Sequence, residues 1–130
     1  MPRSKEFQEP FPEVEFEEHL KRMKESCSSA LLEFKKFEAE KDANSAHLCL
    51  HRFALTVGIL TDYSEHPSDM DRVMADKEFV TQLQTLVEDI KNADIIKFLE
   101  GNRQRTPAVL SENEMFRRYL ISAEIYLAGR

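Results

Sequence analysis

Apolar side chains recur at steps of three and four residues along most of the chain, and this spacing restricts the fold more than any other feature of the sequence. In residues 13–40 they form one stripe, made of Phe16, Leu20, Met23, Cys27, Leu31, Phe34 and Phe37. Similar stripes run to about Tyr63, from Phe79 to Ile90, and from Phe116 to Leu127. A stripe of this period is the buried face of an amphipathic helix. The sequence therefore predicts an all-α fold, a bundle of four main helices.

Local signals predict where these helices begin and end. The stripe slips out of phase after Ile90, which predicts a kinked or broken third helix that restarts near Asn92. A short connecting helix is expected across residues 70–75. Gly101 is a helix stop signal. The segment Ser111-Glu112-Asn113-Glu114 has the spacing of a capping box, so the last helix is expected to begin there.

The second stripe is apolar around most of its circumference, which is typical of the central helix of a bundle. Gly58 lies inside it and costs about 1 kcal/mol of helix stability relative to alanine. A close crossing with another helix would explain a glycine at this position.

The chain has 130 residues, a length that fits one domain. Residues 1–12 carry Pro2, Pro10 and Pro12 and are expected to form an extended arm, from which Phe7 and Phe11 could dock on the body. Residues 13–130 are expected to form the helical domain. Two cysteines are too few for a disulfide framework, and no signal peptide or membrane span is apparent. An intracellular location, cytoplasmic or nuclear, is the resulting expectation.

The net charge of −6 disfavours binding to nucleic acid, and neither a nucleic-acid nor a membrane partner is expected. The charge is unevenly distributed. The first 20 residues are acidic, whereas the last 30 contain five arginines, Arg103 and Arg105 among them. This basic closing segment is either ordinary solvated surface or a face that could meet an acidic peptide.

One pair of residues suggests metal chemistry. His47 and His51 are four residues apart, so both imidazoles lie on one face of the second helix. A metal site also needs further ligands. The possible ones, which include His19, Cys27 and His66, follow no recognisable metal-site spacing. The alternatives are therefore a small metal-dependent bundle enzyme and two part-buried, hydrogen-bonded histidines. No other cofactor is expected, since the chain has no phosphate-binding loop, dinucleotide fingerprint or catalytic-triad spacing.

Some apolar residues fall outside the helical stripes, namely Phe7, Phe11, Phe98, Tyr119 and Ile121. Either they fill the same core, or some of them line an apolar groove between helices that holds a partner.

Short segments of the chain resemble the integrase-binding domain of the hepatoma-derived-growth-factor-related proteins. They are Leu20-x-Arg22-Met23 with Ala30-Leu31, Cys49-Leu50, Phe79-Val80-x-x-Leu83, and Ala123-Glu124-Ile125-Tyr126. The resemblance covers most of residues 20–126, with insertions, and uses residues that are common in helices. Domains of this family are helical bundles that hold short phenylalanine-containing, acid-flanked peptides from transcription and chromatin proteins.

The resemblance implies that a partner peptide contacts the chain after the third helix, around Ile90, Lys91 and Asn92. Two features differ from the family. Glu88 and Asp89 stand where the family has a basic cluster, and the connection between Gly101 and Leu110 is longer. Acidic residues at that position would repel an acidic peptide.

The sequence as a whole favours a non-catalytic protein–protein interaction module, which binds a partner segment in an interhelical apolar groove or associates with itself. The alternatives are the metal-dependent enzyme using His47 and His51, and a constitutive structural subunit of a larger assembly. The candidate partner-binding residues are Ile90, Lys91, Asn92, Phe98, Arg103 and Arg105.

Overall fold

A computed structural model describes residues 12–129, and within this range all regular structure is helical. The prediction of an all-α fold is confirmed. The six helices of the described range are α1 Glu13–Glu40, α2 Ala43–Tyr63, α3 Pro67–Met74, α4 Lys77–Ala93, α5 Ile95–Asn102 and α6 Pro107–Ala128. The expected docking of Phe7 and Phe11 lies outside the described residues.

A tight connection makes α1 and α2 antiparallel. Lys41 adopts the left-handed conformation, with φ of 52°, and its backbone N–H closes α1 on the carbonyl oxygen of Phe37 at 2.7 Å. The Asp42 carboxylate then accepts a hydrogen bond from the backbone N–H of Asn44 at 3.0 Å and caps α2. The chain reverses direction within two residues, so the apolar stripes of the two helices face each other.

Helix α2 lies at the centre, as its broad apolar surface predicts, and it contacts α1, α3, α5 and α6. Cross-helix pairs give the relative directions. His19 and Cys27 on α1 contact Tyr63 and Thr56 on α2. His47 and Thr61 on α2 contact Glu112 and Tyr126 on α6. Helix α1 therefore runs antiparallel to α2, and α6 runs in the same direction as α2.

The predicted break in the third helix is present. Helix α4 begins at the Asp76 cap and ends at Ala93, and α5 begins at Ile95. Asp94 between them is left-handed, with φ of 51°. This conformation turns the chain so that Ile90 before the break and Ile95 after it are both buried.

Gly101 is not the stop signal that the sequence suggests. Helix α5 continues to Asn102, and the backbone becomes extended only at Arg103. No described glycine has positive φ, so the chain does not use the backbone freedom for which a glycine terminates helices.

The prediction that the last helix begins at Ser111 is also wrong. Helix α6 begins one turn earlier, at Pro107. The hydroxyl of Thr106 accepts a hydrogen bond from the backbone N–H of Val109 at 3.2 Å, and proline suits the first helical position because its missing N–H would have no partner there. Ser111 thus lies inside the helix, and Glu112 is available for contacts with other elements.

Gly58 is not explained by a close helix crossing. A methyl group added at this position would have the Tyr119 hydroxyl of α6 as its nearest neighbour, at 4.0 Å, which is ordinary van der Waals contact.

We therefore expect Gly58→Ala to raise the free energy of unfolding by about 1 kcal/mol, because alanine restricts the unfolded chain and fits the helix. Urea denaturation measures this change. Gly101→Ala is the matched control: nothing lies within 4 Å of its added methyl group, but it is near a helix end and should gain less. A less stable Gly58→Ala variant would contradict the described spacing between α2 and α6.

Among the described helices, none is long and apolar enough to cross a membrane.

Candidate functional site

His47, Glu112 and Arg103 form a polar cluster that joins α2, α6 and the end of α5. Glu112 Oε1 lies 2.9 Å from His47 Nε2 and accepts a hydrogen bond from Arg103 at 2.7 Å. Partial burial opposes ionisation of this carboxyl group, but the Arg103 hydrogen bond and the nearby positive charges outweigh it and lower the Glu112 pKa. The cluster thus holds the first turns of α6 against the body through a charged carboxylate.

Because its pKa is lower in the folded chain, Glu112 stabilises the fold above the pKa of an unfolded glutamate, and the contribution disappears as the pH falls through the folded value. We expect Glu112→Gln to lose about 1–2 kcal/mol at neutral pH and progressively less as the pH falls below the pKa of an unfolded glutamate. Urea denaturation over this pH range measures the difference. Glu25→Gln removes an exposed carboxylate from α1 and should change stability little at any pH in this range. A pH-independent loss in Glu112→Gln would contradict this role.

The two candidate metal ligands have other contacts. The His47 and His51 rings lie 6.1 Å apart, and His47 also packs against the Phe116 ring at 6.2 Å. Within residues 12–129 no group of three or more histidine, cysteine, aspartate or glutamate side chains is arranged to hold a metal ion. The geometry is that of a part-buried histidine paired with a carboxylate.

Neither cysteine has the environment of a reactive thiol. Cys27 and Cys49 are both fully buried. Burial raises the pKa of each thiol to about 12, and the negative charges of Asp89 and Glu33 add to the effect at Cys49. Since the thiolate is the nucleophile, these side chains act as small apolar groups in the core.

Three of the candidate partner-binding residues lie at the end of α4. Ile90 is buried, whereas Lys91 and Asn92 are exposed. Ile90 and Lys91 line an open cleft of about 270 Å³. The other residues of this cleft come from the break and from α6; they are Asp94, Ile96, Arg117, Leu120 and Ile121. The structure thus brings the end of α4 next to the middle of α6.

The other three candidates are elsewhere. The Phe98 ring packs edge-to-face against Phe37, with centroids 4.8 Å apart, so it belongs largely to the core. Arg103 is turned toward Glu112, and Arg105 is exposed in the connection between α5 and α6. None of these three residues lines the cleft beside Ile90.

Part of the positive charge of the basic closing segment is neutralised within the chain. Besides the Arg103–Glu112 contact, Arg117 of α6 is paired with Glu100 of α5. Lys91 donates a hydrogen bond to Glu124 at 2.7 Å. The cations around the cleft are thus already matched by carboxylates, and the cleft offers little uncompensated positive charge to an acidic peptide.

The most exposed apolar surface of the closing segment is on α6, on the side opposite its buried residues Phe116 and Ala123. We call it the outer face of α6 and define it by Pro107, Leu110, Glu114, Arg118, Ile121 and Ile125. These residues follow one another at steps of three and four, which places them along one side of a helix. Ile121 is 59% exposed, Ile125 is 62% exposed and Leu110 is 39% exposed.

Clefts border this face along its length. The cleft at the α4–α5 break reaches Ile121. A second cleft, of about 340 Å³, lies between α3 and the end of α6 and includes Met70, Met74 and Ile125. A third, of about 390 Å³, is lined by Leu110, Met115 and their neighbours. The exposed isoleucines form an apolar ridge beside these clefts. A partner helix or strand that binds here can cover the ridge and fill the clefts.

No protein-family model matches the chain, and no curated protein or solved structure matches it either.

The sequence identifies only part of this surface. Ile121 stands out as an apolar residue outside the core stripe, but Ile125 and Leu110 do not. Ile125 lies one turn after Ile121 on the same side of α6, and Leu110 joins that side only because the helix begins at Pro107.

Proposed function

We propose that the chain is a non-catalytic protein–protein interaction module, and that the outer face of α6 is its partner contact. The observation that carries this proposal is the pair of isoleucines one helical turn apart, Ile121 and Ile125, each more than half exposed and each lining an apolar cleft. Isolated exposed apolar residues are common on protein surfaces, but an apolar ridge flanked by clefts is typical of an interface.

In this proposal the four long helices act as a bundle that holds α6 in place. The contact of Phe116 with His47 and the Arg103–Glu112 hydrogen bond fix the first half of the helix. The hydrogen bond between Thr61 and Tyr126, at 3.2 Å, fixes the second half. Because α6 is attached to the body along its length, its interaction face loses little conformational entropy when a partner binds, and this favours affinity.

The resemblance to the integrase-binding domain is consistent with an interaction role but suggests a different centre, around Ile90, Lys91 and Asn92. We propose that this segment forms the edge of the interface, because the cleft beside it reaches the outer face of α6 at Ile121. Because the charge of Lys91 is already paired with Glu124, it attracts an acidic peptide only weakly, and we propose an apolar contact there.

Hydroxyl-radical footprinting tests the proposal, because side-chain oxidation falls when a partner covers a residue. Components of a cell extract also consume radicals, so rates are compared between residues of the same sample. We expect the oxidation of Ile121 and Ile125, relative to that of Leu32 and Leu55, to be lower in an extract of the source cells than in dilute buffer. Leu32 and Leu55 are comparably exposed, on α1 and α2 respectively, and their ratio to each other should not change. Equal protection at all four positions, or none, would contradict a specific interface on α6.

A further inference from the structure

We infer that the partner on the outer face of α6 is a second copy of this chain, with the two α6 helices packed antiparallel about a twofold axis. This inference rests on the proposed function and adds the identity of the partner and the register of the contact. The observation that carries it is the order of side chains along the face. When a second copy of the face is placed antiparallel to the first, apolar residues lie opposite apolar residues and acidic residues lie opposite basic ones.

In an antiparallel pair of identical helices, residues opposite each other have numbers with a constant sum. Glu114 and Arg118 sum to 232, as do Pro107 and Ile125, and Leu110 and Ile121 sum to 231, an offset of about 1.5 Å along the helix. One axis near position 116 therefore pairs every residue of the outer face with a suitable partner. Apolar residues meet apolar residues toward both ends, and acid meets base on both sides of the axis.

The exposures agree with this register. The Glu114 and Arg118 side chains are 60% and 77% exposed, and their contact within the helix is long, at 3.9 Å. Both are therefore available for a second charge partner. In the dimer each Glu114 would face the other copy's Arg118, which gives two equivalent contacts, as an isologous interface requires.

A second copy suits this face better than an acidic peptide. The flanking cations Arg117 and Lys91 are paired with carboxylates of the same chain, so the ridge offers apolar area and balanced charge. Helix α6 has 22 residues and is about 33 Å long. A contact made by one such helix is small compared with obligate dimer interfaces, so the dimer should form and dissociate with concentration.

Engineered disulfides test the register. Leu110→Cys combined with Ile121→Cys places two thiols opposite each other across the axis. Within one chain these positions are about 16 Å apart, too far for a bond. The native cysteines are buried and should stay unreactive. We expect mild oxidation to give a covalent dimer on a non-reducing gel. Ile121→Cys alone should not, because the two copies of position 121 would be about 15 Å apart.

Charge exchange tests the contact without a covalent bond. In sedimentation velocity over about a hundredfold range of concentration, we expect Glu114→Arg and Arg118→Glu each to weaken the dimer about three- to tenfold. The two substitutions together should restore it. Ile121→Glu should weaken it at least about a hundredfold, whereas Leu32→Glu should have little effect.

A wild-type chain that stays monomeric at every concentration would overturn the second copy as partner. If Ile121 is then still protected in cell extract, the proposed interface stands with another partner. If protection is absent as well, the proposed function fails too. Covalent dimers of the single Ile121→Cys variant, or no rescue by the double charge exchange, would overturn the antiparallel register.

Discussion

Phe116→Ala is expected to lower the free energy of unfolding by about 3–5 kcal/mol, the usual cost of removing a phenylalanine ring from a close-packed core. Phe116 is fully buried on the side of α6 that faces the core. Its ring lies 6.2 Å from that of His47 on α2. Alanine would leave a cavity where α6 is attached to the central helix, which the surrounding side chains can fill only in part.

Chemical denaturation followed by circular dichroism measures this loss as a lower midpoint. The neighbouring residue Met115 is the matched control, because it is on the same helix but 37% exposed. Met115→Ala should cost less than about 1 kcal/mol, as expected at the surface. Similar losses in the two variants would mean that α6 does not face the core as described.

Asn113→Leu is expected to stabilise the chain by about 1–3 kcal/mol, the cost usually attached to a buried polar group without a partner. Asn113 is only 1% exposed. Neither its amide oxygen nor its amide nitrogen has a hydrogen-bond partner within the part of the chain that the structure describes. Leucine has the same branched shape, with methyl groups in place of the amide oxygen and nitrogen, so it would remove both unpaired groups while keeping the site filled.

The measurement is the shift in denaturation midpoint at constant slope, since a constant slope shows that the same surface is exposed on unfolding. Asn113→Ser serves as the comparison, because it keeps a polar group at the site and also removes volume. It should not stabilise the chain. A less stable Asn113→Leu variant would show that the amide is bonded in solution, for example to a buried water.

Much of the helical architecture could be predicted because its signals are local. The stripe in residues 13–40 gives α1, and the stripe from Phe79 to Ile90 gives α4. The loss of phase after Ile90 indicates the break at Asp94. Each of these depends on residues within about one helical turn, and a local pattern contains that information.

The start of α6 was mispredicted because two start signals compete. Thr106-Pro107 and the Ser111 segment both resemble helix beginnings, and the earlier one is used. With this start Glu112 lies on the second turn of the helix, where it meets Arg103 and His47. Such contacts join residues far apart in sequence, and no local pattern contains them.

The same limit applies to the candidate site. The sequence marks Ile90 and Lys91 through a family resemblance and Ile121 through its phase, but it does not join them. Packing of the end of α4 against α6 brings them to one cleft. The sequence also overstates the basic character of the closing segment, because the pairing of Arg117 with Glu100 depends on the chain reversal between α5 and α6.

Photo-crosslinking at a single position tests most directly whether the outer face of α6 is an interaction surface. A benzophenone amino acid would replace Ile121 in one sample and Leu32, which is equally exposed on α1, in the other. Each full-length chain would be irradiated at high concentration and in extract of the source cells. We predict discrete protein adducts from position 121 and only diffuse background from position 32. Equal adduct yields from the two positions would contradict an interaction surface on α6.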